Sequence, residues 1–156
     1  MTFRLTLAAA LLGGTAALAQ QTDLTIAIQL EPPHLDPTSA AAGAIDSVLY
    51  SNVFEGLTRF TGDGAIVPAL ARSWEISDDG LTYTFHLAEG VVFHDGTAFD
   101  AEDVKFSLDR ARAEDSTNAQ KALFSDIAEV TVIDPATVEL TLNAPNGNLL
   151  FNLAWG

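Results

Sequence analysis

The sequence predicts an α+β fold in which hairpins and one or two helices pack against a mixed sheet. Three observations carry this. Two pairs of β-prone runs are each joined by a turn sequence. A helix with its own start signals stands between the pairs. With 156 residues, 48% of them hydrophobic and 18% charged, the chain is too apolar for a disordered segment and long enough for one core.

Leu24-Thr25-Ile26-Ala27-Ile28 is a β-branched apolar run of the kind that forms a strand buried on both faces. It ends at Glu31-Pro32-Pro33, where proline removes ladder donors. After a small, turn-prone stretch (residues 34–43), Ile45, Val48, Leu49, Val53 and Leu57 recur at helical spacing and predict a helix over 44–57. Gly62-Asp63-Gly64 makes a polar turn before the short apolar Ile66-Val67-Pro68.

The first hairpin joins Trp74-Glu75-Ile76 to Leu81–Leu87 through Ser77-Asp78-Asp79-Gly80, because Asp-Gly between alternating runs supplies the positive φ that a tight turn needs. Leu81, Tyr83, Phe85 and Leu87 share one face; Thr82, Thr84 and His86 share the other. Trp74, Tyr83, Phe85 and Phe93 are expected in the core of this layer. The next helix starts legibly: Asp100 is the N-cap, Asp103 at N3 gives an acidic capping box, and Phe99 and Val104 are placed for a hydrophobic staple. Val104, Leu108 and Ala111 form its apolar stripe, with Phe106 on a neighbouring face. A polar stretch (114–120) leads to the second hairpin, Glu129–Ile133 and Val138–Leu142 around Asp134-Pro135-Ala136-Thr137. A short apolar helix is expected from Leu149 to Trp155.

The first 19 residues read as a secretory leader. Arg4 supplies a short positive region, Leu5–Leu12 an apolar one, and Ala17-Leu18-Ala19 fits the small-residue rule for cleavage between Ala19 and Gln20. No stretch reaches the ~18 apolar residues of a membrane span, and no cysteine follows the cleavage point to carry a lipid. The expected compartment is the periplasm, without membrane insertion after cleavage.

Composition excludes several classes. Seven Lys+Arg against 21 Asp+Glu give a net charge of −14, and removing Arg4 with the leader deepens it. Nucleic acids and anionic membrane surfaces both need a basic face that this chain lacks. Without cysteine there is no disulfide framework, thiolate metal site or cysteine nucleophile. Nucleophile-elbow, phosphate-loop, dinucleotide and zinc-protease motifs are absent. His94, Asp95, Asp100 and Asp103 are the right residue types for a metal-dependent hydrolase, but a turn residue and helix-start acids explain them as well.

Four stretches, in order, carry a more specific signal: Leu30-Glu31-Pro32-Pro33-His34-Leu35-Asp36-Pro37; Val53-Phe54-Glu55-Gly56-Leu57-Thr58; Val67-Pro68-Ala69-Leu70-Ala71-Arg72-Ser73-Trp74-Glu75; and the run from Ser77 through Gly90-Val91-Val92-Phe93-His94-Asp95-Gly96-Thr97 to Val104. Together they resemble the N-terminal part of family 5 extracytoplasmic solute-binding proteins of ABC importers, the peptide, oligopeptide and nickel group. Ala88 departs from the Lys or Arg usual there.

The resemblance implies an incomplete periplasmic-binding-protein-like fold (type II, cluster C). Residues 20–54 would begin lobe I, and 55–156 would form most of a small inserted domain, truncated before the rest of lobe I and lobe II. It implies a solute-binding role with no catalysis and no cofactor, and a permease in the inner membrane as partner. It further implies that main-chain groups of Ala41, Ala42, Gly43 and Ala44 pair with an extended ligand, as in strand addition. Nickel-binding members carry an aromatic residue or Arg near the metal complex. The matching stretches, Thr38–Ala41 and Thr117–Ala122, contain none. That favours di- and oligopeptides, with a nickel complex or another solute as the alternative. A different class, a standalone secreted interaction module, would require residues 20–156 to stay monomeric alone; the two-sided apolar run at Leu24–Ile28 argues against it.

Overall fold

Asp79 and Gly80 set the first hairpin. In the computed structural model, which describes residues 24–39, 43–50 and 52–154, Gly80 sits at φ +69°, a conformation that a Cβ disfavours. The Asp79 carboxylate accepts the Ser77 hydroxyl (2.6 Å) and the Leu81 N–H (3.0 Å). Strands β3 (Ala71–Ile76) and β4 (Thr82–Leu87) therefore run antiparallel, with Trp74 opposite Phe85 and Ile76 opposite Tyr83. The second hairpin, β5 (Ile127–Asp134) and β6 (Thr137–Leu142), turns where Asp134 accepts the Ala136 N–H at 2.8 Å. Its second strand pairs with the second strand of the first hairpin, giving the order β3-β4-β6-β5. Two short strands, β1 (Thr58–Phe60) and β2 (Ile66–Pro68), form a separate pair.

Helix α2 (Ala101–Arg112) lies on the apolar face of the four-stranded sheet. The Asp100 side chain caps it and Asp103 returns a bond to the Asp100 N–H (2.9 Å), the reciprocal pair that satisfies two orphan donors. Ala101, Val104 and Leu108 then meet Phe85, Val130, Val138 and Leu140 in the core. The other flank of α2 is tied electrostatically. Lys105 and Arg112 both bond Asp109, and they donate onward to carbonyls of β5: Lys105 to Val130 (2.8 Å), Arg112 to Ile127 (2.8 Å) and Ala128 (3.0 Å). Strand β5 is a sheet edge, and these cations cover backbone acceptors that an edge otherwise exposes.

Helix α1 (Gly43–Leu49) precedes β1, and a 3-10 turn (Lys121–Phe124) precedes β5. The short helix α3 (Leu149–Asn152) crosses behind β1. Gly56 explains part of the Val53–Thr58 motif: a Cβ there would stand 2.4 Å from the Leu153 carbonyl oxygen, so only glycine admits the crossing. Thr58, fully buried, fastens it with a 2.7 Å bond to the Leu150 carbonyl.

Five expectations need correction. The named strands pair antiparallel throughout, so the sheet is not mixed, because two hairpins meet through β4 and β6. Residues 24–28 are described but form no strand; Leu24 and Ile26 are 83% and 73% exposed, and no described strand lies beside them to complete a ladder. The helix expected over 44–57 stops at Leu49. The Leu49 carbonyl accepts the N–H groups of Asn52, Val53 and Phe54 in a closing turn, and Gly56 and Leu57 beyond it accept from Leu70, Ala69 and Ala71. Phe93 is half exposed and rests edge-on against Phe99, outside the core that holds Tyr83 and Phe85. The last helix is four residues long, and Trp155 lies outside the described residues, as do the leader with Ala19 and Gln20.

Candidate functional site

The Leu30–Pro37 motif locks itself locally. Asp36 accepts both the N–H (2.8 Å) and hydroxyl (2.7 Å) of Thr38, while His34 Nδ1 accepts the Asp36 N–H (3.2 Å). The Thr38 bonds, with Arg110 and His34 acting through space, hold the Asp36 carboxyl below its ordinary range. This turn sets Pro37 and Thr38 against the end of α2 and the 113–118 connection, and a groove of about 460 Å³ opens between them.

The floor of the groove is apolar, from the buried Leu108 and Phe124, and the exposed Phe54 and Phe106 also line it. Its walls are polar: Thr38, Tyr50, Arg110, Ser116 and Asn118, with Glu55 and Asp115 at the same opening. Gln120 donates its side-chain amide to the Tyr50 hydroxyl oxygen at 3.2 Å, which leaves the phenolic proton uncommitted. Burial pushes the Tyr50 pKa up; the Gln120 bond opposes this and the Asp46 charge adds to it, so the phenol stays neutral and a donor. Asp46, one turn earlier on α1, is itself raised by burial, and its Oδ1 has no hydrogen-bond partner among the described residues. A second, more apolar cavity of about 540 Å³ shares Phe54, Glu55, Leu108 and Phe124 with the groove.

Of the expected contact segment, Ala41 and Ala42 lie outside the described residues. Gly43 and Ala44 open α1, where first-turn N–H groups have no partner within the helix and the Gly43 carbonyl takes the Ser47 hydroxyl (2.7 Å). The two stretches compared for ligand type do meet, since Thr38 and residues 117–118 face the same groove. Sequence reading missed Tyr50 and Arg110, which add an aromatic hydroxyl and a guanidinium to that groove from outside both stretches. A signal existed for Arg110: it follows Phe106 by one helical turn, on the neighbouring face already noted for Phe106. The groove therefore holds an aromatic residue and an arginine, although the two stretches themselves hold neither.

The His94 cluster is committed elsewhere. Asp95 holds the Thr97 N–H and hydroxyl, Asp100 caps α2, and Asp103 closes the capping box. Among the described residues no group of three His, Asp or Glu side chains stands close enough to hold a metal ion. None of the groove's lining residues is histidine or cysteine. The groove sets hydrogen-bonding side chains beside apolar ones.

The model of bacterial extracellular solute-binding proteins, family 5 (middle part), matches residues 65–154. The chain belongs to this family. It is 39% identical over 132 residues to the glutathione-binding protein GsiB of Pectobacterium atrosepticum, covering 85% of this chain and 26% of that protein. Among solved structures it resembles NikZ from Campylobacter jejuni in complex with Ni(L-His), at 35% identity and a TM-score of 0.74, over 83% of this chain and 26% of that one. It also resembles DppA from Helicobacter pylori in complex with the peptide STSA, at 32% identity and a TM-score of 0.66, over 77% of this chain and 27% of that one. The chain thus spans about a quarter of the length of the relatives it matches. Its architecture is a part of the periplasmic-binding-protein fold, and these relatives bind solutes. No helix among the described residues is long and apolar enough to cross a membrane.

Proposed function

We propose that this chain is part of the periplasmic solute-binding component of an ABC importer, taking di- and oligopeptides and delivering them to a membrane permease. The observation that carries this reading is family membership joined to the groove, where the Pro37–Thr38 turn and the 113–118 connection meet over an apolar floor. Residues 41–44 contact the extended guest through main-chain groups, the N–H groups of Gly43 and Ala44 among them. Residues 1–19 serve as the leader, cleaved between Ala19 and Gln20. Residues 20–54 begin the first lobe, and the exposed apolar run Leu24–Ile28 enters its sheet; residues 55–156 belong to a smaller inserted domain. The mechanism is closure of lobes on the guest without chemical change.

A second reading, a nickel chelate as guest, is favoured by Tyr50 and Arg110 in the groove and by the likeness to NikZ. Calorimetric titration of the protein expressed from its own gene separates the two. Trialanine, glutathione and a nickel–histidine mixture are the probes. Heat with the first two and none with the third supports peptides; heat with the third alone supports the chelate; none with any probe rejects both.

A further inference from the structure

Asn146-Gly147, in the connection between β6 and α3, is the one Asn-Gly pair of this sequence. Asn146 Oδ1 accepts the Asn148 N–H at 2.8 Å. A carboxamide that reaches the N–H two residues on lies folded back beside the peptide between them, which brings Asn146 Cγ alongside the Gly147 nitrogen. The main-chain carbonyl oxygen of Asn146 accepts the Tyr83 hydroxyl and the Leu149 N–H, both at 3.2 Å. Bonds donated to that oxygen draw electrons from the peptide and make the Gly147 N–H a better acid, and the bond to Oδ1 makes Cγ a better electrophile. Glycine adds no Cβ to obstruct the approach.

The amide nitrogen of the same side chain has a structural duty. Asn146 Nδ2 donates to Asp126 Oδ2 at 2.9 Å, and the Asp126 carbonyl accepts the Asn143 N–H at 2.8 Å. These two bonds tie the entry of β5 to the exit of β6, just ahead of α3, whose Leu149 is buried in the core.

We infer that Asn146 is a site of spontaneous modification, converted through an imide with Gly147 to aspartate or isoaspartate. The Gly147 nitrogen gives up its proton and bonds to Asn146 Cγ; the Cγ–Nδ2 bond breaks, and Nδ2 leaves with that proton as ammonia. Water then opens the imide. Attack at Cγ gives aspartate; attack at the Asn146 main-chain carbonyl gives isoaspartate. The balance is one water gained and one ammonia lost, with no oxidation or reduction. The aspartate product sets a carboxylate where Nδ2 met Asp126, so a hydrogen bond becomes a like-charge contact and the tie between β5 and β6 loosens.

The test is incubation of the protein expressed from its own gene in warm, mildly alkaline buffer, followed by digestion and mass spectrometry. The peptide holding Asn146 is expected to gain the mass difference between an amide and an acid and to split into two isomeric products, and Gly147→Ala suppresses the change. If Asn146 stays intact while a synthetic peptide of residues 143–149 converts under the same conditions, the site is overturned. Tyr83→Phe keeps the buried ring but removes one bond to the Asn146 carbonyl, and it is expected to slow conversion; an unchanged rate overturns the activation by that bond. Asn146→Asp installs the product directly and is expected to melt below the wild type. Adding Asp126→Asn to it recovers the loss, because an amide again faces a carboxylate. A melt unchanged in Asn146→Asp, or a loss that the swapped pair does not recover, overturns the loosening of the tie.

Discussion

Two stretches of similar composition meet opposite fates in this molecule. Residues 137–142 alternate Thr, Val, Glu, Leu, Thr, Leu and lie between β4 and β5, with Val138 and Leu140 fully buried. Residues 24–28 read Leu, Thr, Ile, Ala, Ile, at least as β-prone, yet they lie unpaired with Leu24 83% exposed. The difference is neighbours. A strand needs a ladder on at least one side and a surface under one face, and propensity supplies neither. The first region is a finished sheet; the second is a strand sequence without a sheet among the described residues.

The sharpest way to break this comparison is to truncate one large side chain in each region. Phe85 is fully buried and touches both Trp74 and Tyr83 ring to ring. Phe85→Ala is expected to destabilise by about 3–5 kcal/mol, the transfer loss plus the cavity it leaves. In the 156-residue chain, Ile26→Ala, at a side chain 73% exposed, is expected to change stability by less than about 0.5 kcal/mol, whereas a larger cost in the protein expressed from its own gene supports entry of the run into the first lobe's sheet. Denaturant titration of both variants checks the pair. A cost above about 2 kcal/mol for Ile26→Ala would show the N-terminal run packed in a sheet of its own.

A smaller effect tests the joint between helix and sheet. Asp100→Ala removes the cap of α2 and half of its capping box, an expected loss of about 1 kcal/mol. Asp100→Asn, which keeps an acceptor at the same place, is expected to recover most of it. Equal losses in the two variants would mean that charge at the helix start, and not the hydrogen bond, is what matters.

The contrast also marks what could be read from the sequence. Asp79-Gly80, Asp134-Pro135 and Asp100–Asp103 act within a few residues of themselves, so the two hairpins and the start of α2 were legible. The end of α1 was not, because the turn that gathers three N–H groups on the Leu49 carbonyl is followed by Gly56 packed against Leu153, about a hundred residues along the chain. The groove was legible only in part. The turn at Asp36 could be suspected from Asp-Pro, but its meeting with Asn118 depends on packing across about eighty residues. Tyr50 and Arg110 joined the site through that packing, and no local pattern announces it. The Leu24–Ile28 run was legible as a strand sequence and still misled, since pairing is a property of two segments.

Acid titration sharpens the comparison at its smallest expected effect, because each region holds a carboxylate below its ordinary value of 3.8. Asp109 is shifted against the pull of burial by the bonds and charges of Lys105 and Arg112. Asp36 is lowered chiefly by its bonds to Thr38. In both the folded state prefers the charged form, so the contribution is whole above about pH 3.8 and is lost as pH falls through the lower folded value. Asp109 ties α2 to the edge of the sheet, and its contribution counts toward cooperative unfolding. Asp109→Asn is therefore expected to melt below the wild type at pH 6, with the gap closing as pH falls below 3.8 and narrowing with added salt, since the Asp109 side chain is 37% exposed. Asp36 holds a turn in the exposed segment, which opens without the sheet. Asp36→Asn is expected to leave the melting temperature unchanged at every pH. Were it to shift the melt as far as Asp109→Asn does, the N-terminal segment and the sheet would unfold as one cooperative unit, and the distinction between finished sheet and unpaired strand would fall.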